Sequence, residues 1–288
     1  MDSMSNALSA ANNTPALPLL SVEGISVRFA GVRALTDVSF HVQPGELFAV
    51  IGPNGAGKTS LFNVLSRVYQ PLAGNITYQG QNLLKLKTHQ VARAGIARTF
   101  QSLGQFPNTT VLDYLLLGRH TRMKSGILLG GLYVGKTYAE EKQHRAYCFH
   151  LLRLVGLERM ANFPLKNLPY GLQKRADMAR ALALEPKLLL LDEPVAGMGL
   201  EETEDIASII LDIKEQLGVT QILVEHDMAL VMGIADRVLV LDFGRVIAQG
   251  VPAEVQANPD VIKAYLGEEF GKPIADVDDV LIPADDSR

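Results

Sequence analysis

The sequence predicts an α/β fold built on a mainly parallel sheet, with a separate helical subdomain. Three observations carry this. A continuous apolar run at residues 47–51 feeds straight into glycine-rich sequence and then into apolar positions at helical spacing, Leu61, Val64, Leu65 and Val68. From residue 173 onward, helix-period and buried-strand patterns alternate: 173–184, 188–191, 201–216 and 222–224. Strands alternating with helices indicate a parallel sheet covered on both faces. Between these halves, residues from about 91 to 168 read as mostly helical, with 111–117 and 147–155 apolar at helical spacing around a polar stretch at 136–145.

Residues 1–18 are rich in Ser, Asn and Ala, without a basic segment or a compact apolar one, and read as a disordered leader rather than a secretion signal. Residues 21–29 alternate apolar and polar, with Val22, Ile25, Val27 and Phe29 prominent, as in a half-buried strand. Alternation returns at 75–80. Residues 125–135 mix glycines with Ile127, Leu128, Leu129, Leu132 and Val134, too short for a membrane span, and read as a loop insertion with an apolar patch. Near the C-terminus, 238–241 and 245–248 flank Asp242-Phe243-Gly244, a hairpin turn. Residues 259–266 read as a short helix closed by Gly267, before an acidic tail at 268–288.

Composition excludes several classes. With 288 residues, 48% hydrophobic and 20% charged, the chain can bury a full core without disulfides or structural metals. Its one cysteine, Cys148, rules out an intramolecular disulfide and suits a reducing compartment. The net charge is −4, concentrated in the tail aspartates Asp276, Asp278, Asp279, Asp285 and Asp286. A nucleic-acid binder usually shows a basic excess, and none is visible here. No stretch approaches the roughly 18 apolar residues of a spanning helix.

Two motifs carry chemistry, the second only in company with the first, because Asp-Glu after leucines by itself usually marks a strand end. Gly52-Pro53-Asn54-Gly55-Ala56-Gly57-Lys58-Thr59 fits G-x-x-x-x-G-K-[ST] between a buried strand and a helix, the context this phosphate-binding loop requires. Its glycines let backbone N–H groups close on the β-phosphate at the positive end of the helix, with Ser60 next in line. Lys58 is expected to reach the β- and γ-phosphates, and the Thr59 hydroxyl to bind Mg²⁺. A glycine loop that only turned the chain would not need the Lys-Thr pair. The second motif is Asp192-Glu193, delivered by the buried strand at 188–191, where open α/β sheets bind ligands. Asp192 is expected to hold Mg²⁺ through water, and Glu193 to polarise the attacking water.

Between them lies Leu168-Pro169-Tyr170-Gly171-Leu172-Gln173, followed by Arg175 and a helix. Here the chain resembles the ABC (ATP-binding cassette) ATPases, whose signature Leu-Ser-Gly-Gly-Gln occupies this position. Pro169, Tyr170 and Leu172 replace three of its residues; Gly171 is kept, and Gln173 lies just beyond. Without the serine hydroxyl, backbone N–H groups near Gly171 are left as donors toward the γ-phosphate. The resemblance assigns Gln101, in Arg98-Thr99-Phe100-Gln101, to the Q-loop, where the family contacts Mg²⁺ and the attacking water and senses the membrane partner. It makes His226, in Val224-Glu225-His226-Asp227, the switch histidine at the γ-phosphate, and Phe29 the aromatic that stacks on adenine. Ala196-Gly197-Met198-Gly199 falls at the D-loop, with Gly199 in place of the usual aspartate.

The resemblance covers about residues 19–267. It implies a P-loop NTPase core with a mainly parallel sheet, an N-terminal antiparallel β region and an inserted helical subdomain at about 91–172. Its closest form is the ATPase subunit of branched-chain amino-acid importers, on the residues Gly95-Ile96-Ala97-Arg98-Thr99-Phe100-Gln101, Leu168-Pro169-Tyr170-Gly171, Asp192-Glu193-Pro194-Val195-Ala196-Gly197-Met198, Glu225-His226-Asp227-Met228 and Ala264-Tyr265-Leu266-Gly267. That resemblance implies an ATP- and Mg²⁺-dependent ATPase on the cytoplasmic face of the inner membrane. Its implied partners are two membrane permease subunits, a second, related but distinct cassette and, indirectly, an external solute-binding protein; nucleic acid is not among them. The phosphate loop of one cassette and the signature of the other would close over the same ATP. A lipid or drug exporter subunit shares the catalytic motifs, and only the importer-type segments argue against it. A soluble nucleic-acid- or ribosome-associated ATPase of the family usually carries tandem cassettes or basic regions, which this chain lacks.

Overall fold

Leu47–Ile51 (β3), Leu188–Asp192 (β7) and Thr220–Val224 (β8) are buried at every position. A strand covered on both faces cannot alternate, and these do not. In the computed structural model, which describes residues 17–29, 31–100, 109–119, 122 and 136–270, they form the centre of a six-stranded sheet. Its order is β10-β9-β3-β8-β7-β6, with Ile96–Arg98 (β6) at one edge and Arg237–Asp242 (β9) and Arg245–Gly250 (β10) at the other. All pairings are parallel except the β9–β10 hairpin, which turns at Phe243-Gly244.

Leu20–Phe29 (β1), Val32–Val42 (β2), Ala73–Tyr78 (β4) and Gln81–Asn82 (β5) form a second, antiparallel sheet in the order β2-β1-β4-β5. Along β1 the buried residues Leu20, Val22, Ile25 and Val27 point inward. They meet Phe48 and Val50 of β3 and Leu61, Phe62 and Leu65 of helix α1 (Lys58–Leu65) in one core. The opposite residues of the same central strands, Leu47, Ala49, Ile51, Leu189 and Leu191, belong to a second core under the helices. At about 25 cal/mol per Å², burial of this kind on both faces is the dominant stabilising term.

The helices are α2 (Thr88–Ala94), α3 (Val111–Arg119), α4 (Lys136–Leu154), α5 (Tyr170–Leu182), α6 (Leu200–Leu217), α7 (Met228–Ile234), α8 (Pro252–Gln256) and α9 (Pro259–Phe270). In α6, Ile206, Ile209, Ile210 and Ile213 form one buried stripe, Glu201 and Glu202 sit at the positive N-terminus, and Gly218 ends the helix in the left-handed region at φ 62°. The antiparallel N-terminal sheet and mainly parallel central sheet match expectation.

Three details differ from the sequence reading. The stretch from 91 to 168 is not helical throughout: β6 pairs in parallel with β7 from Ile96↔Leu188 to Arg98↔Leu190. Three residues are too few to show a period. The C-terminal helix is not closed by Gly267 but runs to Phe270, since an interior glycine costs a helix only about 1 kcal/mol. Strand β2 has an irregular apolar pattern with register shifts against β1, and the sequence reading did not find it. The insertion at 125–135 lies outside the described residues.

Candidate functional site

Four adjacent parallel strands, β3, β8, β7 and β6, end on the same edge of the sheet, and each delivers chemistry there. The rule that ligands bind beyond the carboxyl ends of open parallel sheets makes this edge the candidate site.

From β3 the chain enters the phosphate loop. Gly52 has φ 149°, and a Cβ there would stand 2.0 Å from the carbonyl oxygen of Leu241. Gly57, at φ 104°, would place a Cβ 2.6 Å from the Ala34 carbonyl oxygen. Both positions therefore admit only glycine. The loop is tied down by Ala56 N–H donating to the Pro53 carbonyl (3.1 Å) and by Gly244 N–H donating to the Ala56 carbonyl (3.0 Å). Lys58 is buried, and its Nζ donates to the carbonyls of Gly52 and Pro53, folding the side chain across the mouth of the loop. Thr59 is exposed on the first turn of α1, beside the half-buried Ser60. No side chain caps this helix start and no acid lies in its first turn, so its leading N–H groups are left to an anion. Asn54 and Gly55 are exposed at the loop tip and border a cavity of about 480 Å³ whose far wall includes Phe243, Asp260 and Lys263.

β7 ends in Asp192, 1% exposed, followed by Glu193 at φ 47°, a left-handed conformation that costs a non-glycine residue about 1–2 kcal/mol. Glu193 N–H donates to the Val224 carbonyl (2.9 Å), which sets the turn against β8. β8 leads to Glu225 and the exposed His226. Glu225 is fully buried: Oε1 accepts from Val195 N–H (3.0 Å) and Oε2 from His226 N–H (3.1 Å). One carboxylate thus joins the turn after Glu193 to the His226 loop. Burial pushes the Glu225 carboxyl above its usual range, against the two N–H donors that pull it down.

The Asp192 carboxylate is engaged on one oxygen only. Oδ2 accepts from Arg98 Nη2 at 2.7 Å, while Oδ1 is buried without a hydrogen-bond partner. Among the described residues no cluster of three or more His, Cys, Asp or Glu stands ready to hold a metal. Thr59 and the unpaired Asp192 oxygen suit Mg²⁺ instead, which binds through one or two protein oxygens together with phosphates and water.

The segment leading to Gln101 is held from two sides. Thr99 Oγ1 accepts from Asp192 N–H (3.1 Å), and Arg180 Nη2 donates to the Arg98 carbonyl (2.9 Å). Phe100 N–H donates to Asp177 Oδ2, and the Arg180 guanidinium lies 4.0 Å from the centre of the Phe100 ring. Asp177 is fully buried and also accepts from Tyr114 Oη and Arg180 Nε, each at 2.7 Å. Burial, reinforced by the Asp177 charge, raises the Tyr114 hydroxyl far above its usual pKa. Beside this cluster a groove of about 380 Å³ is lined by Val68, Thr88, Val91, Phe100 and Arg180. Val68 and Phe100 are exposed at 57% and 46%.

The structure brings Gly52 to Ser60, Asp192, Glu193 and His226 to one edge. Gln101 lies outside the described residues. Gly171 and Gln173 stand in the first turn of α5, after Pro169. A Cβ at Gly171 would lie 2.7 Å from Glu202 Oε1. The Gln173 amide donates to the Leu168 carbonyl (2.8 Å), so it braces the loop. Phe29, at the end of β1, is 40% exposed and packs edge-on against Tyr69, with ring centres 4.7 Å apart. Arg98, Asp177, Arg180, Tyr114 and Glu225 went unassigned by sequence reasoning; a charged residue inside an apolar stretch was the signal available for Asp177 and Arg180.

Among the described residues no helix is long and apolar enough to cross a membrane. The ABC transporter family model matches residues 35–196, more than half of the chain. A model of the branched-chain amino acid ATP-binding cassette transporter matches residues 245–271. The high-affinity branched-chain amino acid transport ATP-binding protein LivG of Escherichia coli (strain K12) is 41% identical over 251 residues, 87% of this chain and 98% of LivG. BraF of Pseudomonas aeruginosa, described in the same words, is 39% identical over the same shares. A crystal structure of an ATP-binding cassette of an ABC transporter in its ADP conformation superposes with a TM-score of 0.76 at 28% identity, covering 87% of this chain and 99% of that one. A phosphate loop, an acidic strand end and a histidine loop on adjacent strands, with these relatives along nearly their whole length, place the chain in the ABC transporter family as an ATP-binding cassette.

Proposed function

We propose that the protein is the ATP-hydrolysing subunit of an importer for branched-chain or related amino acids. One observation supports ATP hydrolysis most strongly: Lys58, His226, Glu193 and Asp192 lie at or just beyond the ends of three neighbouring parallel strands. In this reading the ATPase domain spans 19–267, with the helical segments of about 91–172 inserted. Residues 52–60 cradle the β- and γ-phosphates through backbone N–H groups, and Lys58 turns from the loop carbonyls to the phosphates. Thr59 and Asp192, joined by Gln101, would hold Mg²⁺, which would neutralise charge on the phosphate oxygens. Glu193, fixed by the strained turn and by the Val224 carbonyl, takes the proton of the attacking water. His226, exposed on its loop, faces the γ-phosphate, and Phe29 offers its free ring face to adenine.

The first turn of α5, with Gly171 and Gln173, presents backbone donors to nucleotide held by a second, related cassette. Closure of that pair draws the groove beside Phe100 along with it. The apolar groove is where a short helix from one of the two permease subunits docks at the cytoplasmic face of the inner membrane, the second subunit docking on the partner cassette. Cargo arrives from an external solute-binding protein. The importer reading is preferred to an exporter because both high-identity relatives carry branched-chain amino acid transport names and because the match extends through 245–271.

The test is uptake of radiolabelled leucine in cells lacking the chromosomal gene, complemented with wild type, Glu193→Gln or Lys58→Ala. Glu193→Gln is expected to bind ATP normally and to slow hydrolysis about 10²-fold or more, with uptake lost. Lys58→Ala is expected to weaken nucleotide binding itself. Near-wild-type turnover by Glu193→Gln removes Glu193 as the base. Leucine, isoleucine and valine uptake unaffected by the deletion removes the cargo assignment.

A further inference from the structure

Asp192 already carries a counter-charge. Its side chain is 1% exposed, and its Oδ2 is paired with Arg98 Nη2 at 2.7 Å. The same guanidinium reaches across to α1: Nη1 donates to Asn63 Oδ1 (2.8 Å) and to Ser66 Oγ (3.2 Å), and its centre lies 5.7 Å from the middle of the Phe62 ring. Arg98 is therefore held in place by the helix that carries Thr59, while it neutralises the strand end that carries Asp192. The second oxygen, Oδ1, is buried and has no partner. Half of the carboxylate is committed to a resident cation and half is left unpaired.

We propose that Arg98 is the built-in counter-ion of the metal-binding carboxylate. It compensates Asp192 when no divalent cation is present, and it lowers the site's affinity for a free cation, so that the ion enters with the phosphates of the nucleotide. This rests on the assignment of Asp192 to Mg²⁺.

Two effects act in the same direction. A desolvated carboxylate without a partner is strongly disfavoured, so Arg98 stabilises the metal-free chain. A divalent cation held by Asp192 through water adds two positive charges within several ångströms of the guanidinium, where low dielectric strengthens repulsion, so Arg98 destabilises the metal-bound chain. Removing the guanidinium charge must then tighten cation binding and weaken the metal-free fold together. A residue that merely packed α1 against β7 would lower stability with or without the cation.

The probe is Mn²⁺, followed by electron paramagnetic resonance without nucleotide, together with thermal unfolding in EDTA and in saturating Mg²⁺. In Arg98→Met, which keeps an unbranched stem over Phe62, relief of the charge repulsion is expected to let Mn²⁺ bind at least about 10-fold tighter than in wild type. Its melting temperature should fall in EDTA and recover in Mg²⁺ through mass action on the folded state. Arg98→Lys, which keeps the charge, should bind Mn²⁺ within about threefold of wild type, because one unit of charge sets the repulsion. If Arg98→Met does not fold in EDTA, the neutral pair Arg98→Met with Asp192→Asn is expected to fold and to show no stabilisation by Mg²⁺.

Unchanged or weaker Mn²⁺ binding by Arg98→Met, with a stability loss that Mg²⁺ does not recover, overturns the inference. In that case, loss of Mn²⁺ binding by Asp192→Asn in the presence of a non-hydrolysable ATP analogue leaves Asp192 as a metal residue. Mn²⁺ bound by Asp192→Asn with the analogue as tightly as by wild type overturns both.

Discussion

Replacing Asp177 by Asn removes one charge from the fully buried junction between α5 and the segment that leads to Gln101. The amide oxygen can still accept from Tyr114 Oη and Arg180 Nε, both at 2.7 Å in the native chain. The amide nitrogen, however, is left facing Phe100 N–H, a donor against a donor, and Arg180, 8% exposed, loses its counter-ion. Breaking a buried ion pair by removing one partner costs about 3–5 kcal/mol. Two retained hydrogen bonds and the stacking of Arg180 on Phe100 put this substitution at the lower end, about 3 kcal/mol. For a chain of this size that is a fall of about 5 °C in Tm. The chain has no tryptophan, so urea unfolding followed by far-ultraviolet circular dichroism is the suitable assay, with the loss read as a lower midpoint at unchanged slope. Tyr114→Phe, which deletes a single bond to the carboxylate, should cost about half as much. The two losses should be non-additive in the double variant, since they share one acceptor. A loss below about 1 kcal/mol for Asp177→Asn, far under the cost of a broken buried pair, would show that Arg180 is stabilised by its carbonyl and ring contacts alone, and that Asp177 is not what fastens Phe100 to α5.

Glu225→Gln tests the buried carboxylate behind His226. Its pKa is raised, so the folded chain holds this proton more tightly than the unfolded chain; the contribution is fully present below the ordinary glutamate pKa and is lost as pH rises through the raised value. The stability of Glu225→Gln relative to wild type is therefore expected to improve as pH rises above the ordinary glutamate range in urea unfolding; a gap independent of pH would refute it. Cys148 is fully buried, and burial pushes its thiol up to about 11, so only about one thiol in 10³ is ionised at pH 8. The native chain should resist a thiol reagent at that pH and take up one equivalent in denaturant. Rapid labelling of the native chain would place Cys148 outside the helical core.

Features written locally in the chain could be read without a structure. The phosphate loop, from Gly52 to Thr59, is contiguous and sits between a strand and a helix that announce themselves by apolar pattern. Asp192-Glu193 is legible because four leucines precede it. Buried on both faces, β3, β7 and β8 needed no alternation to be recognised. The three-residue β6 was hidden inside a stretch that otherwise reads as helix, because it exists only through its pairing with β7.

The fold class, the phosphate-loop motif and the acidic end of β7 were legible in the order of residues alone, since each depends on positions within one turn or one strand of each other. How the carboxylates are compensated emerged from packing in three dimensions. Arg98 meets Asp192 across 94 positions and Phe100 meets Asp177 across 77, because sheet order sets β6 beside β7 and packs α5 over both. Charge interactions depend on distance in space and on exclusion of water, and neither is encoded in the spacing of residues along the chain.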